Sequence, residues 1–315
     1  MRLLVTGGLG FIGVNFIRHW FSGNPDDSIV NIDKMTYAAN ADGLSDIEGK
    51  HDYELVKGDI SDPDVVGKAV RDVDAIVNFA AETHVDRAIQ DSREFIRSNI
   101  VGTYVLLEAA RKNGTRFHQI STDEVYGSLG LGSKDRFTET SRYDPRNPYS
   151  ASKAAADHLA RSYSNTYGLP VTISNCSNNF GPYQNMEKLI PKAIMNAMRS
   201  TSIPVYGEGL QMRDWIYVED HCSAIENILK KGNHGETYLV SAGNVKRNID
   251  VVKEILGILG RSEDLIKFVP DRPGHDAKYA LDSSKIAREL GWKPAYGFEE
   301  GMKRTIEFYT KAQAK

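Results

Sequence analysis

A glycine-rich turn close to the amino terminus constrains the fold more than any other stretch of the sequence. The apolar run 3–6 leads into Gly7-Gly8-Leu9-Gly10-Phe11-Ile12-Gly13, which has a Gly-x-x-Gly-x-x-Gly spacing and opens an apolar helical pattern. Glycine is needed where φ is positive and where the backbone approaches a pyrophosphate, and the free N–H groups of a helix start bind the anion. The spacing alone is weak evidence for a dinucleotide site, because a tight strand-to-helix turn of any function can have it.

The sequence after this turn strengthens the dinucleotide hypothesis. A second apolar run, 28–32, ends in Asp33, about 20 positions beyond Gly13, where a carboxylate can bind both hydroxyls of an adenosine ribose. The same carboxylate repels a 2′-phosphate, so the sequence predicts NAD rather than NADP. Lys34, directly after it, carries a positive charge that slightly offsets this preference for NAD.

The rest of the first half continues this alternation of strands and helices. Strand patterns lie at 53–56, 75–79, 117–121 and 171–176, and helix patterns lie at 63–71, 98–112 and 149–167. This order predicts an α/β fold with a Rossmann-type doubly wound parallel sheet and right-handed crossovers, in which ligands bind beyond the carboxyl ends of the strands.

The character of the sequence changes after residue 176, where turns become frequent and strands shorter. We therefore predict a Rossmann dinucleotide-binding domain at 1–176 and a smaller carboxyl-terminal α/β substrate-binding domain at 177–315. The apolar stretches 215–218 and 224–229 are expected to return to the first domain.

Polar side chains gather at two of these element ends. Thr122, Asp123 and Glu124 follow the fifth strand, and Tyr149 and Lys153 lie one turn apart on one face of the next helix. Together these groups can remove a proton, deliver a proton and stabilise an alkoxide. We expect the Lys153 ammonium to lower the pKa of the Tyr149 phenol. A surface Tyr–Lys pair without function is the plainer interpretation, but the dinucleotide fold favours the catalytic one.

Composition and terminal sequence exclude other classes of protein. A net charge of −3 over 315 residues gives no basic surface for nucleic acid or an anionic membrane. The two cysteines, Cys176 and Cys222, cannot make a disulfide scaffold or a Cys-rich metal site, and we predict no metal. Because no apolar run approaches the ~20 residues of a membrane span and the first strand leaves no room for a signal peptide, we expect a cytoplasmic location.

With these motifs identified, the chain resembles the extended short-chain dehydrogenase/reductases, a family of NAD-dependent sugar-nucleotide epimerases and dehydratases. The glycine turn and Tyr149-x-x-x-Lys153 are typical of that whole family. Over nearly its full length the chain is most similar to the dTDP-glucose 4,6-dehydratases. The more specific motifs are Thr122-Asp123-Glu124 and the segments 80–86, 178–183, 213–215 and 271–276. The loop 129–136 and the pair Arg146-Asn147 are less typical, and neither is expected to supply chemistry.

The resemblance implies three groups of site residues. The catalytic group is Thr122, Asp123, Glu124, Tyr149 and Lys153. The NAD-binding group is Gly7, Gly10, Phe11, Ile12, Gly13, Asp33, Lys34, Thr36, Asp59, Ile60, Ala80, Ala81, Thr83, Asn99, Tyr149, Lys153 and Asn178. The group for the nucleotide sugar is His84, Thr122, Asn179, Lys188, Leu189, Tyr206, Arg213, Asn248, Arg272 and His275.

The resemblance also implies a redox-neutral reaction that converts dTDP-glucose to dTDP-4-keto-6-deoxyglucose and water, a step toward deoxysugars such as rhamnose. Tyr149 takes the proton of the C4 hydroxyl, with Thr122 bonded to the same oxygen, while NAD oxidises C4. Glu124 then removes the C5 proton, protonated Asp123 releases the C6 hydroxyl as water, and the hydride returns to C6. Because neighbours on a regular strand point to opposite faces, this scheme requires the strand to end by Asp123.

Several alternatives stay open from the sequence. One is a 4,6-dehydratase or 4-epimerase acting on a UDP-, CDP- or GDP-linked sugar, although the Asp-Glu pair argues against an epimerase. Another is a binding or regulatory protein without turnover, against which the complete catalytic group argues. The helices at 100–110 and 150–167 carry apolar residues on more than one face, which suits a homodimer, as in the family, or burial within one subunit. The polar loop 130–146 is expected to be a flexible surface element or lid.

Overall fold

A parallel sheet at the centre of the molecule organises all the elements of the computed structural model, which describes residues 1–271 and 273–313. The strands are β1 (Arg2–Thr6), β2 (Ser28–Asp33), β3 (Asp52–Lys57), β4 (Ala75–Asn78), β5 (Arg116–Thr122), β6 (Val171–Cys176), β7 (Asn178–Phe180), β8 (Ile203–Tyr206), β9 (Met212–Tyr217), β10 (Thr237–Val240), β11 (Asn244–Arg247) and β12 (Ile266–Val269). The helices are α1 (Phe11–Gly23), α2 (Pro63–Ala69), α3 (Val85–Gln90), α4 (Arg93–Phe95), α5 (Thr103–Asn113), α6 (Pro148–Tyr167), α7 (Leu189–Met198), α8 (Val218–Lys231), α9 (Asn248–Ile258), α10 (Ser284–Leu290) and α11 (Phe298–Gln313). A π-helical segment covers Ile96–Gly102, and 3-10 turns cover Asp123–Tyr126 and Glu263–Leu265.

The central sheet has seven strands in the order β10-β6-β5-β4-β1-β2-β3, and each neighbouring pair is parallel. Helices α1 and α8 cover one face, and α2, α5 and α6 cover the other. Because helices cover both faces of the sheet, β4 and β6 are buried along their whole length. The predicted doubly wound parallel sheet is confirmed.

The seventh strand comes from the second half of the chain, and the sequence pattern did not reveal it. Strand β10 is only four residues long and pairs with β6, while α8 packs on α1 through Cys222 and Ile225. The stretch 215–218 is expected to return to the first domain. Its strand β9 instead lies in a three-stranded sheet of order β11-β9-β7, because β10 already occupies the edge of β6.

The loop at 130–146 differs from the flexible lid that its polar composition predicted. Leu129 forms a β-bridge to Lys278, and Phe137 forms one to Leu281. The Phe137 ring is buried and stacks on Tyr126 with ring centroids 5.3 Å apart. Apolar anchoring at this point holds the loop against the second half of the chain.

The carboxyl-terminal elements form a second core beside the sheet. Helices α7, α9 and α11 pack around β8 and β9, and Phe180 and Trp215 lie in their midst. The groove between this core and the carboxyl ends of the central strands contains the candidate site. Among the described residues, no helix is both long enough and apolar enough to cross a lipid bilayer.

Candidate active site

The glycine turn closes tightly on the end of β4. Gly7 has a φ of +69°, and a Cβ on it would lie 2.7 Å from the Ala80 Cα. A Cβ on Gly13 would lie 2.4 Å from the Gly7 carbonyl oxygen. Both positions therefore require glycine, and the backbone at the start of α1 stays open to a ligand.

Asp33 fastens this turn from the end of β2. Its carboxylate accepts the Leu9 N–H at 2.9 Å and the Met35 N–H at 2.7 Å. Burial raises the pKa of Asp33, and these two backbone bonds oppose the rise. The Lys34 ammonium lies 3.1 Å from Asp59 and 3.2 Å from Glu94, so its charge is compensated and leaves the region acidic.

The residues predicted to bind the cofactor line two adjoining clefts along the sheet edge. The first cleft is lined by Gly7, Gly10, Asp33, Lys34, Thr36, Asp59, Ile60, Ala80 and Ala81. The second is lined by Gly7, Gly10, Phe11, Ile12, Gly13, Ala81, Thr83, Tyr149, Lys153 and Asn178. Ser177 Oγ and Asn178 Oδ1 are buried here and have no hydrogen-bond partner among the described residues. Such a continuous polar-ended cleft has the form of a dinucleotide site.

Asn99 is the predicted cofactor residue that the structure keeps away from both clefts. Its side chain bonds the backbone N–H and carbonyl of Glu82 and donates to Ser152 Oγ at 2.8 Å. These bonds engage both the Oδ1 and the Nδ2 of Asn99, which is buried inside the π-helical segment. In this position Asn99 supports the loop after β4.

Tyr149 and Lys153 face the second cleft from α6, but their electrostatics differ from the prediction. The Lys153 ammonium donates to the Ile120 carbonyl at 2.6 Å, and burial lowers its pKa. Burial and then the charge of Glu124 raise the pKa of Tyr149 well above its usual value, against a hydrogen bond with Thr122. The prediction that Lys153 lowers the pKa of the Tyr149 phenol is therefore wrong for the protein alone, because desolvation of the phenol has the larger effect.

The two adjacent carboxylates leave the strand and enter different surroundings. Strand β5 ends at Thr122 and a 3-10 turn begins at Asp123, so the geometric condition for the elimination scheme is met. Asp123 is 1% exposed, and its Oδ2 has no hydrogen-bond partner among the described residues. Burial first, and the charge of Glu124 second, raise the pKa of Asp123 well above its usual value. Glu124 is only half-buried and lines the cleft.

A third cleft between the two halves contains the residues predicted for the nucleotide sugar. Those lining it are His84, Asn179, Lys188, Leu189, Tyr206, Arg213, Asn248 and His275, and Glu124 lines both this cleft and the second one. Thr122 lies in the adjoining cleft, and the predicted Arg272 lies outside the described residues. His84 Nδ1 and Asn248 Oδ1 are buried and have no hydrogen-bond partner within the described chain.

Arg213 is held rigidly on the wall of this third cleft. Its guanidinium donates to the carbonyls of Met212 and Asp276 at 2.9 Å each and lies 4.4 Å from the centre of the Tyr279 ring. The Tyr279 hydroxyl in turn donates to Asp276 at 2.5 Å. A pre-positioned guanidinium suits the oxygens of a diphosphate.

Several residues of the site escaped the sequence analysis. Gln184, Trp215 and Tyr279 line the third cleft, and the buried carboxylate of Asp157 accepts hydrogen bonds from Ser121, Tyr143 and Asn175 beneath the catalytic group. Trp215 could have been inferred from its place beside Arg213. Asp157 could have been inferred from its place one helical turn beyond Lys153, but Tyr279 carries no local signal.

Comparison with known proteins gives a consistent result. The GDP-mannose 4,6 dehydratase family matches residues 4–305. The chain is 50% identical to the dTDP-glucose 4,6-dehydratase of Neisseria gonorrhoeae, covering 98% of this chain and 95% of that one. It is 48% identical to dTDP-glucose 4,6-dehydratase 1 of Escherichia coli K12, covering 98% and 92%. The crystal structure of DesIV, a dTDP-glucose 4,6-dehydratase from Streptomyces venezuelae with NAD and TYD bound, superposes with a TM-score of 0.96 at 42% identity, covering 100% and 98%.

Proposed function

The chain belongs to the GDP-mannose 4,6 dehydratase family, and from that membership we propose that it is a dTDP-glucose 4,6-dehydratase. It converts dTDP-glucose to dTDP-4-keto-6-deoxyglucose and water. One observation carries the choice of dehydration over other chemistry: two adjacent carboxylates, one buried with a raised pKa and one half-buried, meet at the cleft beside Tyr149.

The cofactor is NAD, as in the crystal structure of DesIV. The glycine turn, Asp33 and the unpartnered Asn178 Oδ1 fit a dinucleotide along the sheet edge. Asp33 fits the two hydroxyls of an adenosine ribose and repels a 2′-phosphate. Bound NAD supplies the reversible acceptor for the C4 hydride and, when oxidised, a positive charge that favours the phenolate of Tyr149.

Tyr149, Thr122 and Lys153 act at the C4 hydroxyl of the sugar. Tyr149 takes the hydroxyl proton, and Thr122, which shares a hydrogen bond with the phenol, orients the same oxygen. The buried Lys153 ammonium is fixed by the Ile120 carbonyl, and its positive charge stabilises the phenolate.

Asp123 and Glu124 perform the elimination. The new ketone at C4 acidifies the C5 proton, which Glu124 removes, and Asp123 donates a proton to the C6 hydroxyl so that it leaves as water. The raised pKa of Asp123 supports the role of acid, because burial disfavours the charged carboxylate and so favours the form that carries a proton. The half-exposed Glu124 supports the role of base, and the same carboxyl can return the proton to C5.

The third cleft binds the nucleotide. Its rigid Arg213, with Lys188 nearby, fits the diphosphate, and the unpartnered Asn248 Oδ1 and Trp215 Nε1 offer further polar contacts. The product is a deoxysugar precursor of the type used for rhamnose.

Product analysis tests this function directly. The protein is incubated with dTDP-, UDP-, CDP- and GDP-linked glucose, and we expect a 4-keto-6-deoxy product from the dTDP sugar at the highest rate. A 4-epimer as product, or preference for another nucleotide, would contradict the proposal.

Three variants separate the steps of the reaction. Glu124→Gln and Asp123→Asn should leave oxidation at C4 intact but slow elimination by at least about tenfold, so that reduced cofactor accumulates after rapid mixing. Tyr149→Phe is the matched control, because it should prevent that reduction altogether. Wild-type dehydration by the carboxylate variants, or normal cofactor reduction in Tyr149→Phe, would refute these roles.

We further propose that the protein is a cytoplasmic homodimer. Val101 and Tyr104 are 42% and 48% exposed on the π-helical segment and α5, and Tyr167 is 55% exposed at the end of the adjoining α6. An apolar patch on two neighbouring helices suits pairing with a second copy.

A further inference from the structure

Asn147, directly before α6, both caps that helix and contacts Glu124. Its Oδ1 accepts the Ser150 N–H at 2.9 Å, and the Ser150 Oγ accepts the Asn147 N–H at 3.2 Å, which completes a capping box. Its Nδ2 donates to Glu124 Oε2 at 3.3 Å. The residue is 9% exposed, so its position depends on these protein contacts.

The helix cap determines which way the amide points. The Ser150 N–H can only donate, so the atom that faces it must be the acceptor Oδ1. The Nδ2 donor is therefore turned toward Glu124. A side chain that would ordinarily only begin a helix thus presents a fixed donor to a carboxylate at the cleft.

We propose that Asn147 is a positioning residue for the dehydration, whose fixed amide donor holds the Glu124 carboxylate in place for removal of the C5 proton. This inference rests on the proposed function. A hydrogen bond from a fixed donor stabilises a carboxylate over its protonated form. It also restricts rotation of the carboxylate away from the sugar.

A neutral donor suits this position because of the groups that surround Glu124. The charge of Glu124 raises the pKa of three neighbouring groups, which are the Asp123 carboxyl and the phenols of Tyr149 and Tyr279. His84, Lys188 and Arg213 share its cleft. A further cation in place of Asn147 would favour loss of the proton from Asp123, which must act as an acid. The uncharged amide can hold the Glu124 carboxylate without adding a charge beside Asp123.

Two substitutions keep the helix cap but remove the donor. Ser and Asp cap helices as well as Asn does, so Asn147→Ser and Asn147→Asp should both fold with the native α6 start. In Asn147→Ser, we expect the rate of solvent deuterium incorporation at C5 of the product to fall about tenfold, while C4 oxidation keeps its rate. In Asn147→Asp, the added carboxylate disfavours ionised Glu124. The acidic limb of the kcat profile should therefore move about one pH unit upward.

Ser150→Ala is the matched control. It removes one half of the capping box and leaves the amide facing Glu124, so it should lower the Tm and leave the acidic limb unchanged. The proposal is wrong if both Asn147 variants incorporate deuterium at C5 at the wild-type rate and keep the wild-type pH profile of kcat. It is also wrong if Ser150→Ala moves the acidic limb of that profile as far as Asn147→Asp does. In either case Asn147 is only a helix cap. If the wild-type protein itself forms no 4-keto-6-deoxy product, it is the proposed function that fails.

Discussion

Asp123 and Glu124 are neighbours in the chain, but the end of β5 gives them unequal access to water. The 3-10 turn directs Asp123 into the protein and leaves Glu124 half-exposed. Burial first, and the charge of Glu124 second, raise the pKa of Asp123 and suit it to the role of acid.

The same burial makes Asp123 costly for stability. Because the folded protein raises the pKa of Asp123 above 3.8, the folded state binds more protons than the unfolded state above about pH 4. Stability from this residue is therefore lost as the pH rises toward the folded pKa. We expect Asp123→Asn to be more stable than the wild type at pH 8, with Tm rising about 2–4 °C for each kcal/mol gained, and the gain to vanish near pH 4.

Thermal unfolding of both proteins across this pH range measures the effect. Glu124→Gln provides the comparison, since its half-exposed carboxylate should give a smaller gain. A gain for Asp123→Asn that is independent of pH would show that burial of its charge is not the cause.

At this scale the sequence predicted residue identities better than residue environments. The glycine turn, Asp33 and the Thr122–Glu124 group could be recognised because they depend on local geometry. The raised pKa of Tyr149 and the placement of Asn99 and Asn147 could not, because they depend on which side chains the fold brings around each group.

For helices and strands too, the sequence predicted what depends on local pattern and missed what depends on the surrounding fold. Strong periodicity predicted β6 and nearly all of α6, whose ends are fixed by Pro148 and by Gly168 in a left-handed conformation. The π-helical segment before α5 and the four-residue β10 have no distinctive local pattern. The loop at 130–146 was mispredicted because its polar residues outnumber the two aromatic residues that anchor it, Phe137 and Tyr143.

Phe137 tests whether that loop is anchored. Its N–H and carbonyl both bond the segment 280–282 at 2.8 Å, and its ring is buried against Tyr126. We expect Phe137→Ala to lower the free energy of unfolding by about 3 kcal/mol in chemical denaturation. Leu131→Ala, in the same loop at a position that is 45% exposed, should change it by no more than about 0.5 kcal/mol. Equal effects of the two substitutions would indicate a mobile loop.

At the scale of the whole molecule, the reaction centre lies where the two halves of the chain meet. Asn15 donates to the Pro182 carbonyl at 2.9 Å, Asn40 donates to the Tyr183 carbonyl at 3.2 Å, and Arg87 pairs with Glu187 at 2.9 Å. These contacts cross from α1, the segment after β2 and α3 to the segment after β7. The cofactor and sugar sites therefore share a common wall, and the relative position of the halves determines the distance between them.

The proposed homodimer is tested at this same scale. Sedimentation of the purified protein at micromolar concentration should give a dimer mass. Tyr104→Glu places a charge in the apolar patch of the π-helical segment, α5 and α6, and should give a monomer, because burying that charge in an interface is costly. Tyr37→Glu, exposed outside this patch, is the control. A wild-type monomer would reject the dimer.

The origin of β10 in the second half of the chain has a consequence for biosynthesis. When residue 176 has left the ribosome, β6 is still an open sheet edge, and the apolar face of α1 lacks the cover of α8. At about 5–20 residues per second, translation takes several seconds more to reach residue 240. During that interval the nascent protein exposes a strand edge and an apolar surface, both of which promote aggregation. This interval of exposure ends when β10 pairs with β6 and completes the sheet.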